Sequence, residues 1–206
     1  MSKEKYKIFC IGKKSKVKLN DYNKTRRLIK DCDIIIHLAS IINPFDKNIW
    51  DINVKYTRFL VEEAKRFNKR FIYISTQNVL FGKDAYSETK RHAEDIVKTL
   101  KNYVILRPTI IYGRDDERYI GKLIKVVKSY LIIPIIGNGK NRLQPIYIDD
   151  LIEIIETCIN KKIKGIYLIA GGSVVTYNQL IDLIIKRLRL NRIKIRIPKL
   201  MIKPLA

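Results

Sequence analysis

The sequence predicts an α/β fold, a doubly wound parallel sheet with crossover helices on its faces. Three observations carry this expectation. Short β-rich runs alternate with amphipathic stretches of helical period. Several runs are apolar without alternation, such as Ile34-Ile35-Ile36, which suits strands covered on both faces. No repeat, low-complexity tract or Gly/Ser linker interrupts the pattern over 206 residues, a length that one domain with a real core accommodates.

Taken in order, the expected strands are 7–11 (KIFCI), 33–39 (DIIIHLA), 70–75 (RFIYIS), 103–108 (YVILRP), 144–148 (QPIYI) and 165–170 (GIYLIA). The expected helices are 22–30, 52–67, 87–100, 117–130, 151–160 and 177–188, with Asp150 and Thr176 where N-caps belong. The layers these elements form are Rossmann-like, and that predicts a fold without predicting a function.

Composition narrows the field. Charges interrupt every Ile-rich run, so no stretch approaches the roughly 18 consecutive apolar residues of a membrane helix. MSKEKYKIFC has no apolar core followed by small residues, so no signal peptide is expected. Cys10, Cys32 and Cys158 are odd in number and far apart, which matches neither a disulfide framework nor a metal site; a reducing cytoplasm is the simplest location. The net charge is +22, with eleven Lys or Arg in residues 1–30 and eight, without one acid, in residues 186–206. Such a surface attracts phosphorylated substrates, nucleic acid or acidic lipid. A Lys- and Ile-rich composition that fills solvent positions with lysine explains the same number.

The chemistry-bearing stretch is AYSETKRHAE (85–94). On a helix, Tyr86 and Lys90 share one face a turn apart. A phenol titrates near pH ~10, and a neighbouring ammonium favours the phenolate, drawing it toward what proton transfer at neutral pH requires. Thr76, or Ser75, at the end of the preceding strand could hold the same substrate oxygen, since open α/β sheets build their sites at strand C-termini. Of twelve tyrosines, Tyr86 alone has a lysine four residues on. By itself the pair is equally compatible with an exposed aromatic and a solvated charge at a helix start.

Six segments, in order, resemble the NAD-dependent epimerase/dehydratase family of extended and atypical short-chain dehydrogenases/reductases: CDIIIHLAS (32–40), Asn53-Val54 with Thr57 and Leu60, FIYIST (71–76), YSETKRHAE (86–94), ILRPTIIYG (105–113) and IIGNGKNRLQPIYIDDL (135–151). The likeness covers about residues 17–198. It implies one NAD(P)-binding Rossmann-like domain over 1–206, with 135–206 contributing a small substrate-side region. It implies Tyr86 as general acid/base and Lys90 as the residue that binds the nicotinamide ribose and tunes Tyr86. Thr76 is the first hydroxyl candidate and Ser75 the second. Leu38, Ala39 and Ser40 would line NAD or NADP, Pro108, Thr109 and Ile110 would flank the nicotinamide, and Arg142 would meet a substrate phosphate. His37 is expected as a strand-end residue, Asn53 as a backbone tie, and Asp149 and Asp150 as helix caps. No metal is implied. The substrate implied is a nucleotide-sugar or another phosphorylated small molecule, turned over by epimerisation, dehydration or reduction, and a homo-oligomer is left open.

The family pattern is broken at the N-terminus. After KIFCI comes Gly12-Lys13-Lys14-Ser15, with neither the glycine-rich turn that lets backbone N–H groups approach a pyrophosphate nor a Walker A loop. The N-terminal part of the doubly wound sheet is therefore expected to be incomplete. A truncated gene, phosphate binding by the N-terminal lysines, or a partner chain that completes the site would each account for it. The alternative function is a non-catalytic family member acting as an RNA-binding or accessory subunit, although no aromatic residues interleave the basic clusters in an RNA-reading pattern.

Overall fold

The structure is a computed structural model that describes residues 6–12, 15–114 and 116–198. Its contacts divide the chain into two compact units, Met1–Pro108 with Leu151–Ile169, and Thr109–Asp150 with Ala170–Ala206.

The first unit is a four-stranded, wholly parallel sheet. Its strands are β1 (Ile34–His37), β2 (Arg70–Ile74), β3 (Tyr103–Pro108) and β8 (Gly165–Ile169), in the order β1-β2-β3-β8. Helices α1 (Tyr22–Lys30), α2 (Tyr56–Arg66) and α3 (Ala85–Val97) supply the apolar stripe for one face. There Ile29, Leu60, Val61, Ala93 and Val97 close on Ile35, Phe71, Tyr73 and Ile105. By strand alternation Arg70, Ile72 and Ile74 point the other way. Arg70 donates from Nη1 to the Ile159 carbonyl (3.1 Å) and from Nη2 to the Ile163 carbonyl (2.6 Å), at and just beyond the end of α5 (Ile148–Asn160). A cation there also suits the negative end of the helix dipole. Fully parallel pairing explains the continuous apolar runs: every residue of β2 is buried.

In the second unit, β5 (Ile132–Ile136) pairs in parallel with β10 (Ile193–Ile197), and Ile133 and Ile135 pack on Val127 of α4 (Tyr119–Ser129) and on Ile181 and Ile184 of α6 (Tyr177–Leu188). Two short ladders complete it, β4 (Ile111–Tyr112) with β7 (Ile146–Tyr147), and β6 (Arg142–Leu143) with β9 (Val175–Thr176).

The six helices fall where the periodicity places them, with ends shifted by a few residues. Helix α2 is entered through a π-helical turn, Asp51–Lys55, so the regular helix starts later than position 52. Helix α5 begins at Ile148, which puts Asp149 and Asp150 inside its first turn, where they favour the dipole without occupying the cap. Thr176 does cap α6: its hydroxyl accepts from the Gln179 N–H (3.2 Å) while the Gln179 side chain takes the Thr176 N–H (2.7 Å). The expected strand at 7–11 is absent. Ile8, Phe9 and Cys10 are exposed, and only Ile11 forms a single bridge, to Val17. Strand propensity expresses fit to a half-buried pleated surface, and this run has no neighbouring strand to provide one. The strand expected at 144–148 shrinks to Ile146–Tyr147, because α5 takes Ile148.

Replacing Thr176 by alanine removes one half of the capping box and should lower stability by about 1 kcal/mol. Urea unfolding of the variant beside the parent measures it.

Candidate functional site

Parallel strands bring their C-terminal ends together, and in the first unit that end gathers residues 38–40, Ser75, Thr76 and Pro108 behind β1, β2 and β3. Helix α3 follows β2 after a 3-10 turn, Gln77–Leu80. Asp84 caps it, its carboxylate accepting from the Ser87 N–H (2.7 Å), and this sets the start of the helix so that Tyr86 lies in its first turn and Lys90 in the next.

Tyr86 is half-buried, whereas Lys90 is only 2% exposed. The Lys90 ammonium donates to the Ile74 carbonyl at 2.8 Å and lies 4.1 Å from the centroid of the Tyr73 ring. Burial pushes its pKa down to about 7, against the opposing pull of Glu94. A lysine held at such a value changes protonation in the neutral range, where a proton-transfer site operates. His37 is buried beside Tyr73, ring centroids 5.5 Å apart, and shares a 2.9 Å hydrogen bond with the Thr57 hydroxyl. Burial, with the Lys90 charge as a second cause, lowers its pKa to about 3, so it is a neutral strand-end residue, as the sequence suggests. The Tyr73 hydroxyl is buried without a hydrogen-bond partner, and its pKa is raised by burial and then by Tyr86 and Glu94.

The two candidate hydroxyls differ. Ser75 is buried and gives its proton to Glu94 Oε1 at 2.6 Å. Thr76 is half-buried and accepts from the Asn78 N–H (3.3 Å), which leaves its own O–H proton for another acceptor. Asn53 organises the neighbouring loop. Its amide oxygen accepts from the Ile41 N–H (2.8 Å) and the Ser40 hydroxyl (3.2 Å), and its amide nitrogen donates to the Ile41 carbonyl (2.9 Å) and to the Thr89 hydroxyl (3.0 Å). Thr89 in turn donates to the Tyr86 carbonyl (2.9 Å). One asparagine thus ties the segment after β1 to the helix that carries Tyr86.

Leu38 is 62% exposed and Ala39 and Ser40 half-buried, so an apolar, open surface stands at the end of β1. In the second unit, the Thr109 hydroxyl donates to the Gln144 carbonyl (2.5 Å), Ile110 accepts through its carbonyl from Ile146 (2.9 Å), and Arg142 is exposed in β6. Within the first unit the residues suit the two halves of a dinucleotide unequally. The nicotinamide half would meet a phenol, an ammonium and a hydroxyl at the strand ends. The pyrophosphate half finds no glycine-rich turn among the described residues. Lys13 and Lys14 of the Gly-Lys-Lys-Ser stretch lie outside them. The helix nearest in sequence, α1, carries the Asp21 carboxylate on its N-terminus, which accepts from the Lys24 N–H (3.0 Å) and repels an anion.

Sequence reasoning assigned no role to Glu94, Arg107 or Tyr73. The first two were visible as an acid continuing the 86, 90, 94 spacing and an arginine inside the apolar run YVILRP. Among the described residues no group of three or more His, Cys, Asp or Glu side chains is placed to hold a metal ion, and no helix is long and apolar enough to cross a membrane.

Residues 2–170 match the model of the NAD dependent epimerase/dehydratase family. The chain is 28% identical over 174 residues to the dTDP-D-glucose 4,6-dehydratase of Dictyostelium discoideum, a match covering 66% of this chain and 40% of that protein. Its fold is similar to that of dTDP-4-dehydrorhamnose reductase from Bacillus anthracis in complex with NADP (TM-score 0.77, 19% identity, 89% of this chain and 72% of that one). It is also similar to that of UDP-glucuronic acid 4-epimerase from Bacillus cereus in complex with NAD (TM-score 0.75, 24% identity, 84% and 65%). The chain spans about half the length of the curated relatives it matches, 40 to 53% for the first three.

Two outcomes are expected. Asn53→Ala leaves the Ile41 N–H and carbonyl without partners, costs about 2 kcal/mol, and speeds hydrogen exchange at Ile41. Lys90 has a folded pKa near 7 against 10.5 when unfolded. Between those values the unfolded chain binds the extra proton, so the contribution of Lys90 to stability rises as pH rises through this window. Urea unfolding of wild type and Lys90→Met should therefore show the wild type gaining on the variant from neutral toward alkaline pH, with no such gain below pH 7.

Proposed function

The chain belongs to the NAD dependent epimerase/dehydratase family, and from that premise we propose that it is an NAD(P)-dependent protein acting on a nucleotide-sugar through a Tyr86–Lys90 proton-transfer pair. The observation that supports this most is the placing of Tyr86 and Lys90 on consecutive turns of α3, with Lys90 bonded to the last residue of β2.

In this reading Tyr86 takes a proton from a sugar hydroxyl, or returns one to a carbonyl. The Lys90 cation favours the phenolate and so eases that transfer in the neutral range. Thr76, with its O–H proton uncommitted, donates to the same substrate oxygen; Ser75, committed to Glu94, steadies the strand end and stands second. Bound NAD or NADP would supply the hydride acceptor or donor for the adjoining carbon. Leu38, Ala39, Ser40 and Lys90 would contact it in the first unit, Pro108, Thr109 and Ile110 would flank the nicotinamide, and Arg142 would meet a substrate phosphate. A +22 surface suits a phosphorylated substrate. Residues 1–206 hold no glycine-rich turn for the pyrophosphate, and for this stretch alone the proposal expects weakened dinucleotide binding and impaired turnover.

The net charge of +22 also favours a second reading, a non-catalytic RNA-binding or accessory role. Titration with NAD(H) and NADP(H) up to millimolar concentration, beside a salt-dependent gel shift with single-stranded RNA, separates the two: no dinucleotide binding removes the enzyme reading.

Tyr86→Phe should abolish turnover while the urea midpoint and cofactor affinity stay nearly unchanged. Steady-state kinetics on nucleotide-sugars measures it, and undiminished turnover in the variant defeats the assignment.

A further inference from the structure

Glu94 stands one helical turn beyond Lys90 on α3 and is 1% exposed. Its carboxylate takes the Ser75 hydroxyl (2.6 Å) and Arg107 Nε (2.9 Å) on Oε1, and Arg107 Nη2 (2.5 Å) on Oε2. Ile74, the residue before Ser75, accepts the Lys90 ammonium. Two consecutive residues at the end of β2 therefore hold two consecutive turns of α3, and Arg107 closes the arrangement from β3. Well-packed apolar residues of the same volume would join helix and strand as firmly as a buried ion pair does. What the ion pair adds is a fixed charge beside the lysine.

We propose that Glu94 is a positioning residue for the Tyr86–Lys90 pair, fixing α3 on the end of β2 with Ser75 and Arg107 and presenting to Lys90 a negative charge that offsets its burial. The groups facing Lys90 are few. Among the described residues Glu94 comes from α3, Tyr73 from β2 and His37 from β1, Arg107 of β3 reaches the same cluster through Glu94, and Tyr86 bears on Tyr73. His37 is neutral at physiological pH and Tyr73 is un-ionised. Glu94 is thus the nearby anion that offsets the burial of Lys90, and Arg107 tempers it. The catalytic meaning of this field rests on the proton-transfer reading of Tyr86 and Lys90, whereas the field itself is a property of the folded chain.

The test follows Lys90 by NMR on protein labelled at the lysine side-chain carbons, titrated with pH, with Lys90→Arg identifying the resonance. In Glu94→Gln the Lys90 midpoint should fall by about one unit or more, because burial is then unopposed. In Arg107→Gln it should rise, since Glu94 then acts untempered, and Arg107→Lys should return it toward the wild-type value. A folded Glu94→Gln with an unmoved midpoint overturns the proposal. If that variant does not fold, Arg107→Gln decides: a rise supports the proposal and an unmoved or lowered midpoint overturns it. Where turnover is measurable, the alkaline limb of kcat should move with the midpoint while KM changes little. Shifted midpoints in a chain without activity would count against the proton-transfer reading and leave the positioning role standing.

Discussion

The burial of one ammonium constrains most of the first unit. A lysine that is 2% exposed has to satisfy its charge inside the protein. Lys90 does so with the Ile74 carbonyl, the face of the Tyr73 ring and the field of Glu94. Each requirement fixes another element. The carbonyl has to belong to the last residue of β2, where strand pairing is ending. The ring has to stand on the face of β2 that meets α3. The carboxylate has to follow one turn later, and it needs a cation of its own, which β3 supplies as Arg107. Moving α3 by a single residue along its axis would break the Lys90–Ile74 and Glu94–Arg107 bonds together.

The same helix is held from the other side by neutral groups. Asn53, in the π-helical turn before α2, spends its amide on the Ile41 backbone and on Thr89. A π turn widens the helix by one residue and displaces its side chains from the regular stripe. Here it turns Asn53 into the gap between the β1 loop and α3 and still lets Thr57 reach His37. Charge from the side of β2 and β3 and amide hydrogen bonding from the turn before α2 therefore meet at α3, and between them they set where the Tyr86 backbone stands.

Elements whose signal is local were legible in the sequence. Helices α1 and α6 and strand β3 have the bounds that periodicity assigns, and the Thr176 capping box could be read from its own four residues. What escaped depends on neighbours distant in the chain. KIFCI has the composition of a strand and no sheet to join. IIPII is not among the expected strands; proline lacks a ladder donor, yet Pro134 is tolerated in β5, which among the described residues pairs with β10 alone. Of the site, the Tyr86–Lys90 spacing was visible. Its consequence was not, since the sequence cannot say that the ammonium turns inward to Ile74, or that Ser75 is bonded away by Glu94 and leaves Thr76 as the freer hydroxyl.

In the proposed function the two halves of a dinucleotide would meet unequal chemistry among the described residues. At the strand ends of the first unit, side chains would do the binding that the proposed function requires, and side chains tolerate sequence change around them as long as strand and helix stay in register. A pyrophosphate is ordinarily met by backbone N–H groups, which need a glycine turn and an uncapped helix N-terminus. Helix α1 has an aspartate on that end, so its dipole is already satisfied by the protein's own carboxylate. Lysines can attract the phosphates by charge, but an attraction among exposed, hydrated ions is weak and screened by salt, whereas oriented N–H groups are not. Were these residues to bind a dinucleotide as proposed, the precision of α3 on β2 would bear on cofactor binding as well as on proton transfer.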